Sequence, residues 1–96
     1  MNQQQVKFKE WNCIVEYTPY TVDSKLYRIL LRDLEDTTPI AVATSYIEGL
    51  MEGEVAVKNY SENHGMLQSL VEYNIVDKPH RMINEFPICY IKNIPQ

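Results

Sequence analysis

Apolar and polar side chains alternate with a period of two along most of this chain, and the alternation gives way to helical spacing at one place. Val55 and Val57 alternate with Ala56 and Lys58, the pattern that turns one strand face to a core and the other to solvent, and it predicts a strand over 54–59. Past the polar run Asn59-Tyr60-Ser61-Glu62-Asn63 the spacing changes. Met66, Leu67, Leu70 and Val71 form one stripe along an amphipathic helix of about two to three turns. Two residues compete to cap it. Ser61 as N-cap puts Glu62 in the first turn, where free N–H groups and the helix dipole favour a carboxylate. Asn63 as N-cap brings Gly65 nearer the start. Either choice leaves Gly65 inside the helix, where glycine costs about 1 kcal/mol against alanine, so a packing reason is expected for it.

Upstream, Val6 and Phe8 share one parity while Trp11, Cys13, Val15 and Tyr17 share the other. A switch near Lys9-Glu10 predicts a bulge or bend, because a slip of one residue sends side chains to the opposite face. After a turn over 18–24, the segment 26–33 reads as a second strand with Tyr27, Ile29 and Leu31 facing the core. Arg28 and Arg32 share the other face with Leu26 and Leu30. The same residues also fit helical spacings. Pro19 and Asp23-Ser24 before them and Asp36-Thr37-Thr38-Pro39 after them bound a strand-length segment and favour the strand. A third strand over 40–47 is rich in β-branched residues.

Beyond the helix, Asn74 suits a left-handed cap that lets Ile75 and Val76 pack back on the stripe. Asp77-Lys78-Pro79-His80 is a turn, and 86–91 alternates as a last strand. Pro87 lacks an N–H and places that strand at an edge, or with the proline facing outward. The sum is β-β-β-β-α-β, an α+β fold with a mainly antiparallel sheet of about five strands and one helix packed on one face. A single domain over 6–92 is expected, with a frayed start over 1–5 and a short tail over 93–96.

With 96 residues, 45% hydrophobic and 23% charged, the chain has the composition of a globular domain with one modest core. No run of about eighteen apolar residues occurs and no basic-then-apolar start, so neither a membrane span nor a signal peptide is expected, and the expected location is cytoplasmic. Cys13 and Cys89 lie far apart and read as buried free thiols. A formal charge of −4 argues against direct nucleic-acid binding through phosphate contacts. The two histidines, His64 and His80, sit in no zinc-binding spacing, so no metal or cofactor is expected. No nucleophile, base and orienting group fall into a recognisable motif either, which leaves catalysis without a candidate set.

Candidate binding residues do exist. The turn 61–65 leaves N–H groups beside Lys58, so Lys58, Tyr60, Ser61, Asn63 and His64 form a candidate anion or partner site, with side-chain capping as the plainer alternative. Seven tyrosines suit interfaces, since each ring buries apolar area while its hydroxyl stays wet. Tyr20, Tyr60 and Tyr73 lie at turns or helix ends and are expected to be exposed. Should they cluster beside Arg28, Arg32 or Lys58, the surface offers stacking faces and cations for phosphate.

Trp11-Asn12-Cys13, Pro39-Ile40-Ala41-Val42-Ala43-Thr44 and above all Val57-Lys58-Asn59-Tyr60-Ser61-Glu62-Asn63-His64-Gly65-Met66-Leu67 together resemble a group of small proteins of unassigned activity from bacteriophages and mobile elements. The resemblance implies an accessory protein made in a bacterial cytoplasm, and it carries no activity over to any residue. Three functions follow as expectations: a non-catalytic protein that binds and inhibits a host factor, a defence component among the candidates; a sponge for a small signalling nucleotide; and, least supported, a small enzyme. A homo-oligomer, dimer or larger, suits all three, because one helix covers one sheet face and Ile14, Leu26 and Leu30 remain on the other.

Overall fold

The first two strands are joined by a turn of only two residues. The computed structural model describes residues 4–93. In it β1 (Gln5–Phe8) and β2 (Trp11–Pro19) pair antiparallel, with Phe8 opposite Trp11 and Val6 opposite Cys13. Lys9 takes a φ of 56°, the left-handed conformation that such tight hairpins require. The parity switch is therefore a hairpin and not a bulge. Residues directly opposed share a face, so Val6, Phe8 and Cys13 all reach the core. Thr18 and Pro19, expected in a turn, extend β2 and pair with Arg28 and Tyr27. Gln5 already belongs to β1, and the Val15 N–H donates to the Gln4 carbonyl at 3.0 Å. The remainder of the expected frayed start (1–3) and most of the expected tail (94–96) lie outside the described residues.

The strand reading of 26–33 holds. β3 (Tyr27–Asp33) pairs with β2 on one side and β4 (Pro39–Val42) on the other, completing a sheet of order β1-β2-β3-β4. Ile29 and Leu31 are fully buried on the core face and Tyr27 half-buried.

What reads in sequence as one strand over 40–47 is two strands in space. The chain leaves the first sheet after Val42 and enters a second as β5 (Thr44–Ser45). Ala43, fully buried, is the crossing point. Its N–H donates to the Ile29 carbonyl at 2.8 Å, and its carbonyl accepts the Lys58 N–H at 2.8 Å. Each sheet thus takes one of its backbone groups. The Thr44 hydroxyl oxygen accepts the Ile29 N–H at 3.1 Å, satisfying a donor that the departing strand leaves behind.

The second sheet has the order β5-β6-β8-β7, with β6 (Glu54–Val57), β7 (Arg81–Ile83) and β8 (Phe86–Tyr90). The fold is α+β, mainly antiparallel, with one helix packed against sheet. The expected five strands in one sheet become eight in two sheets of four. β7 is too short to show a period, which is why alternation misses it. β8 is internal and not an edge; Pro87 stands opposite Met82 of β7 but beyond the stretch paired with β6, which ends at Ala56–Ile88.

The helix α1 (Met66–Glu72) buries Met66 and Leu70 completely and Leu67 and Val71 by half. Its start corrects both proposed caps. Ser61–Asn63 form a separate 3-10 turn, and Gly65 occupies the N-cap at φ 92°. A Cβ on Gly65 would meet nothing within 4 Å, so backbone conformation and not packing selects glycine. Asn59 supplies the missing acceptor, its Oδ1 taking the Leu67 N–H at 2.9 Å. At the other end Asn74, at φ 63°, closes the helix as expected. Its N–H donates to the Val71 carbonyl at 3.1 Å and that of Ile75 to Leu70 at 2.9 Å, the paired bonds of a Schellman motif. One buried cluster joins Ile29 and Leu31 of the first sheet, Val55, Val57 and Cys89 of the second, and Met66, Leu70, Ile75 and Val76.

Thr44→Val should cost about 1–3 kcal/mol, because it leaves the buried Ile29 N–H without an acceptor. Thr44→Ser should stay near wild type, and urea unfolding of the two variants separates these outcomes.

Candidate functional site

The residues singled out from sequence do not converge. Arg32 is occupied: its Nε lies 2.6 Å from Glu16 Oε1 and its Nη1 donates to the Thr37 carbonyl at 3.1 Å. Arg28 shares its face, opposite Thr18. Leu26 and Leu30 are buried there and Ile14 half-buried, so the apolar face invoked for oligomerisation is largely covered already. Lys58 follows β6, and its N–H bonds the crossing residue Ala43. Asn63 is buried, and its side-chain amide donates to the Val42 carbonyl at 2.8 Å. The Ser61 carbonyl accepts the His64 N–H at 3.0 Å. The Asn63 N–H is likewise taken, by the Tyr60 carbonyl at 2.9 Å, and the Asn63 side chain makes the 61–65 turn a strut between the end of β4 and the start of α1.

His64 is exposed and lines a depression of about 380 Å3 with Lys7, Lys9 and Tyr73. Tyr60 and Tyr73 are exposed as expected. Tyr20 is not: it is half-buried, its ring edge-on to Tyr46 at 5.4 Å and its hydroxyl 3.4 Å from Thr44 Oγ1.

The densest polar cluster was not legible in the sequence. Glu54 is 2% exposed yet fully satisfied. Its Oε1 accepts the Met51 N–H at 2.8 Å and Arg81 Nη2 at 2.6 Å; its Oε2 meets His80 Nε2 at 2.6 Å and Arg81 Nε at 3.1 Å. Arg81 reaches further, to the Gly49 carbonyl at 2.8 Å, and the His80 ring stacks on Tyr90 at 4.2 Å. The Arg81 hydrogen bonds, with help from His80 and the Met51 N–H, outweigh burial and hold the Glu54 carboxyl down at about 2. Glu54 shares the parity of Ala56, a face that alternation assigns to solvent, and its side-chain partners lie 26 and 27 residues away. The only available signal was the adjacent pair His80-Arg81 after a proline. Chemically, the four contacts fill the carboxylate with structural partners. The cluster clamps the 49–54 loop and β7 onto β6.

A different surface is shaped to receive something. Between α1 and the edge strand β7, Tyr60, Leu67, Pro79, Met82 and Pro87 line a groove of about 370 Å3. Tyr60 is 50% exposed and Met82 59%, large apolar side chains left in water. The Tyr60 ring is braced edge-on by Phe86 at 6.1 Å.

Both cysteines are buried and unpaired, Cys13 in one sheet and Cys89 in the other. Burial pushes the Cys89 thiol up to about 12 and that of Cys13 above its ordinary value, which keeps both as unreactive thiols. Among the described residues there is no group of three or more His, Cys, Asp or Glu side chains placed to hold a metal ion, and no helix long and apolar enough to cross a membrane. Compared with protein-family models, curated proteins and solved structures, the chain finds no match.

Because the folded-state value of Glu54 lies below that of an unfolded carboxylate, its contribution is complete above about pH 5 and is lost as pH falls toward 2. Glu54→Gln should therefore cost about 2–3 kcal/mol near neutral pH, less than for a fully buried pair because Arg81 reaches solvent. It should also flatten the acid limb of the stability profile, as followed by chemical denaturation from pH 7 down to pH 3.

Proposed function

We propose that the protein is a non-catalytic binding module that acts by occupying another protein, and that its binding surface is the groove between α1 and β7. The single observation behind this reading is that Tyr60 and Met82, both half or more exposed, line one groove together with Leu67, Pro79 and Pro87, with Asn59 and Glu85 as its polar members. An aromatic ring and a pliable thioether beside rigid prolines provide an anchor and an adaptable wall, features typical of protein-binding surfaces. The clamp at Glu54 supports the same reading, since it fixes β7 and hence the position of Met82. Asn59 supports the other wall, its side chain bonding the first turn of α1.

The resemblance to bacteriophage and mobile-element proteins makes the partner, in this proposal, a host factor of a bacterium, and the consequence of binding its inhibition. The nucleotide sponge has thinner support. It calls for Arg28, Arg32 or Lys58 beside aromatic faces, whereas Arg32 is engaged by Glu16 and Thr37, and Glu72 shares the depression that holds Lys7, Lys9 and His64.

The test is affinity capture from bacterial lysate with wild type, Tyr60→Ala and Met82→Asp side by side. A specific host protein should be retained by wild type and lost with both variants, each weakening the purified complex by at least about tenfold while circular dichroism stays unchanged. Recovery of the same protein by all three, or of none by wild type, would sink the proposal.

A further inference from the structure

The tip of the first hairpin carries unlike charges on its two sides. Toward β3, Glu10, Asp33 and Glu35 line a cleft of about 230 Å3 whose apolar wall is Trp11 and Leu34. Trp11 is 37% exposed and Leu34 41%. Toward α1, Lys7, Lys9 and His64 line the depression described above, where Glu72 is the one carboxylate. Lys9 Nζ is held in place by the Glu62 carbonyl at 2.7 Å. The two sides meet at the turn itself, since Lys9 and Glu10 are consecutive and are its only two residues.

We infer that this turn is where two copies of the chain associate, the acidic cleft of each facing the basic depression of the other. A two-fold axis normal to the first sheet at the turn sets unlike sides against one another twice, the reciprocity that an isologous contact requires. A foreign cationic partner would answer the cleft and leave the basic side unmatched; a foreign acidic partner would do the reverse. A second copy answers both and covers Trp11 and Leu34 as well. The chain carries a net charge of −4, so two copies repel at long range, and the orientation that opposes unlike patches is the favoured one.

The experiment uses sedimentation velocity at micromolar protein, with emission of the single tryptophan, Trp11, as a local reporter. Wild type should dimerise at low ionic strength with a blue shift of Trp11 and dissociate in high salt. Lys7→Glu/Lys9→Glu makes both sides of the turn acidic, and Glu10→Lys/Glu35→Lys turns the cleft basic on balance, with Asp33 its one remaining carboxylate, so that both sides are then basic. Each double variant alone should weaken self-association by at least about tenfold. Mixed, they should form a heterodimer, because each side of one variant again faces a side of opposite overall charge on the other. All four positions are exposed, and circular dichroism verifies the fold. A wild type that stays monomeric at low salt, a dimer that leaves Trp11 emission unmoved, or a mixture that forms no heterodimer would each overturn the inference.

Discussion

Everything in this fold depends on the chain changing sheets at Ala43. The first sheet has β4 as one edge and the second has β5, and a single peptide segment supplies both. Because the Ala43 N–H is taken by Ile29 and its carbonyl by Lys58, the residue is fixed from both sides with no backbone group left unpaired. Only a small side chain fits at a position fully buried between two ladders. Thr44 and Asn63 reinforce the same crossing, one by accepting the Ile29 N–H and the other by donating to the Val42 carbonyl. Neighbouring polar groups that satisfy one another in this way are worth more together than singly.

From that crossing the surface features follow in turn. Lys58 leaves the crossing and leads through Asn59 and Tyr60 into the strut and the helix. Tyr60 is thereby placed on one wall of the groove. The opposite wall is β7, a three-residue edge strand paired on one side only, with β8. Besides that pairing, the polar cluster ties it down, Arg81 bridging Glu54 and the Gly49 carbonyl. A buried carboxylate is costly unless its lone pairs are filled, and here four contacts fill them. The cluster therefore acts as a lock on β7 beside the groove.

The elements legible in the sequence were those with enough length to display a period. The strand of Val55 and Val57, the strand of Ile29 and Leu31, and the helical stripe of Met66, Leu67, Leu70 and Val71 all stand where alternation and helical spacing place them. The Asn74 cap was equally legible, because only a residue tolerant of a positive φ can end a helix in that way. The candidate site was hardly legible at all. Of the residues named in advance, Arg32 and Asn63 serve internal contacts, whereas Tyr60 alone lines the groove. Met82, Glu54 and Arg81 carry no local pattern that marks them.

Local periodicity, then, was enough to mark the longer strands and the helix and one apolar face of each, because the spacing of side chains along a backbone is a property of neighbours in sequence. It did not decide partners. That 40–47 divides between two sheets, that Lys9-Glu10 is a hairpin and not a bulge, that β8 lies inside its sheet, and that Glu54 is buried against Arg81 are all outcomes of contacts between distant residues. Such contacts depend on where backbone donors and carboxylates find partners once the layers have packed, and a one-dimensional pattern contains no term for that.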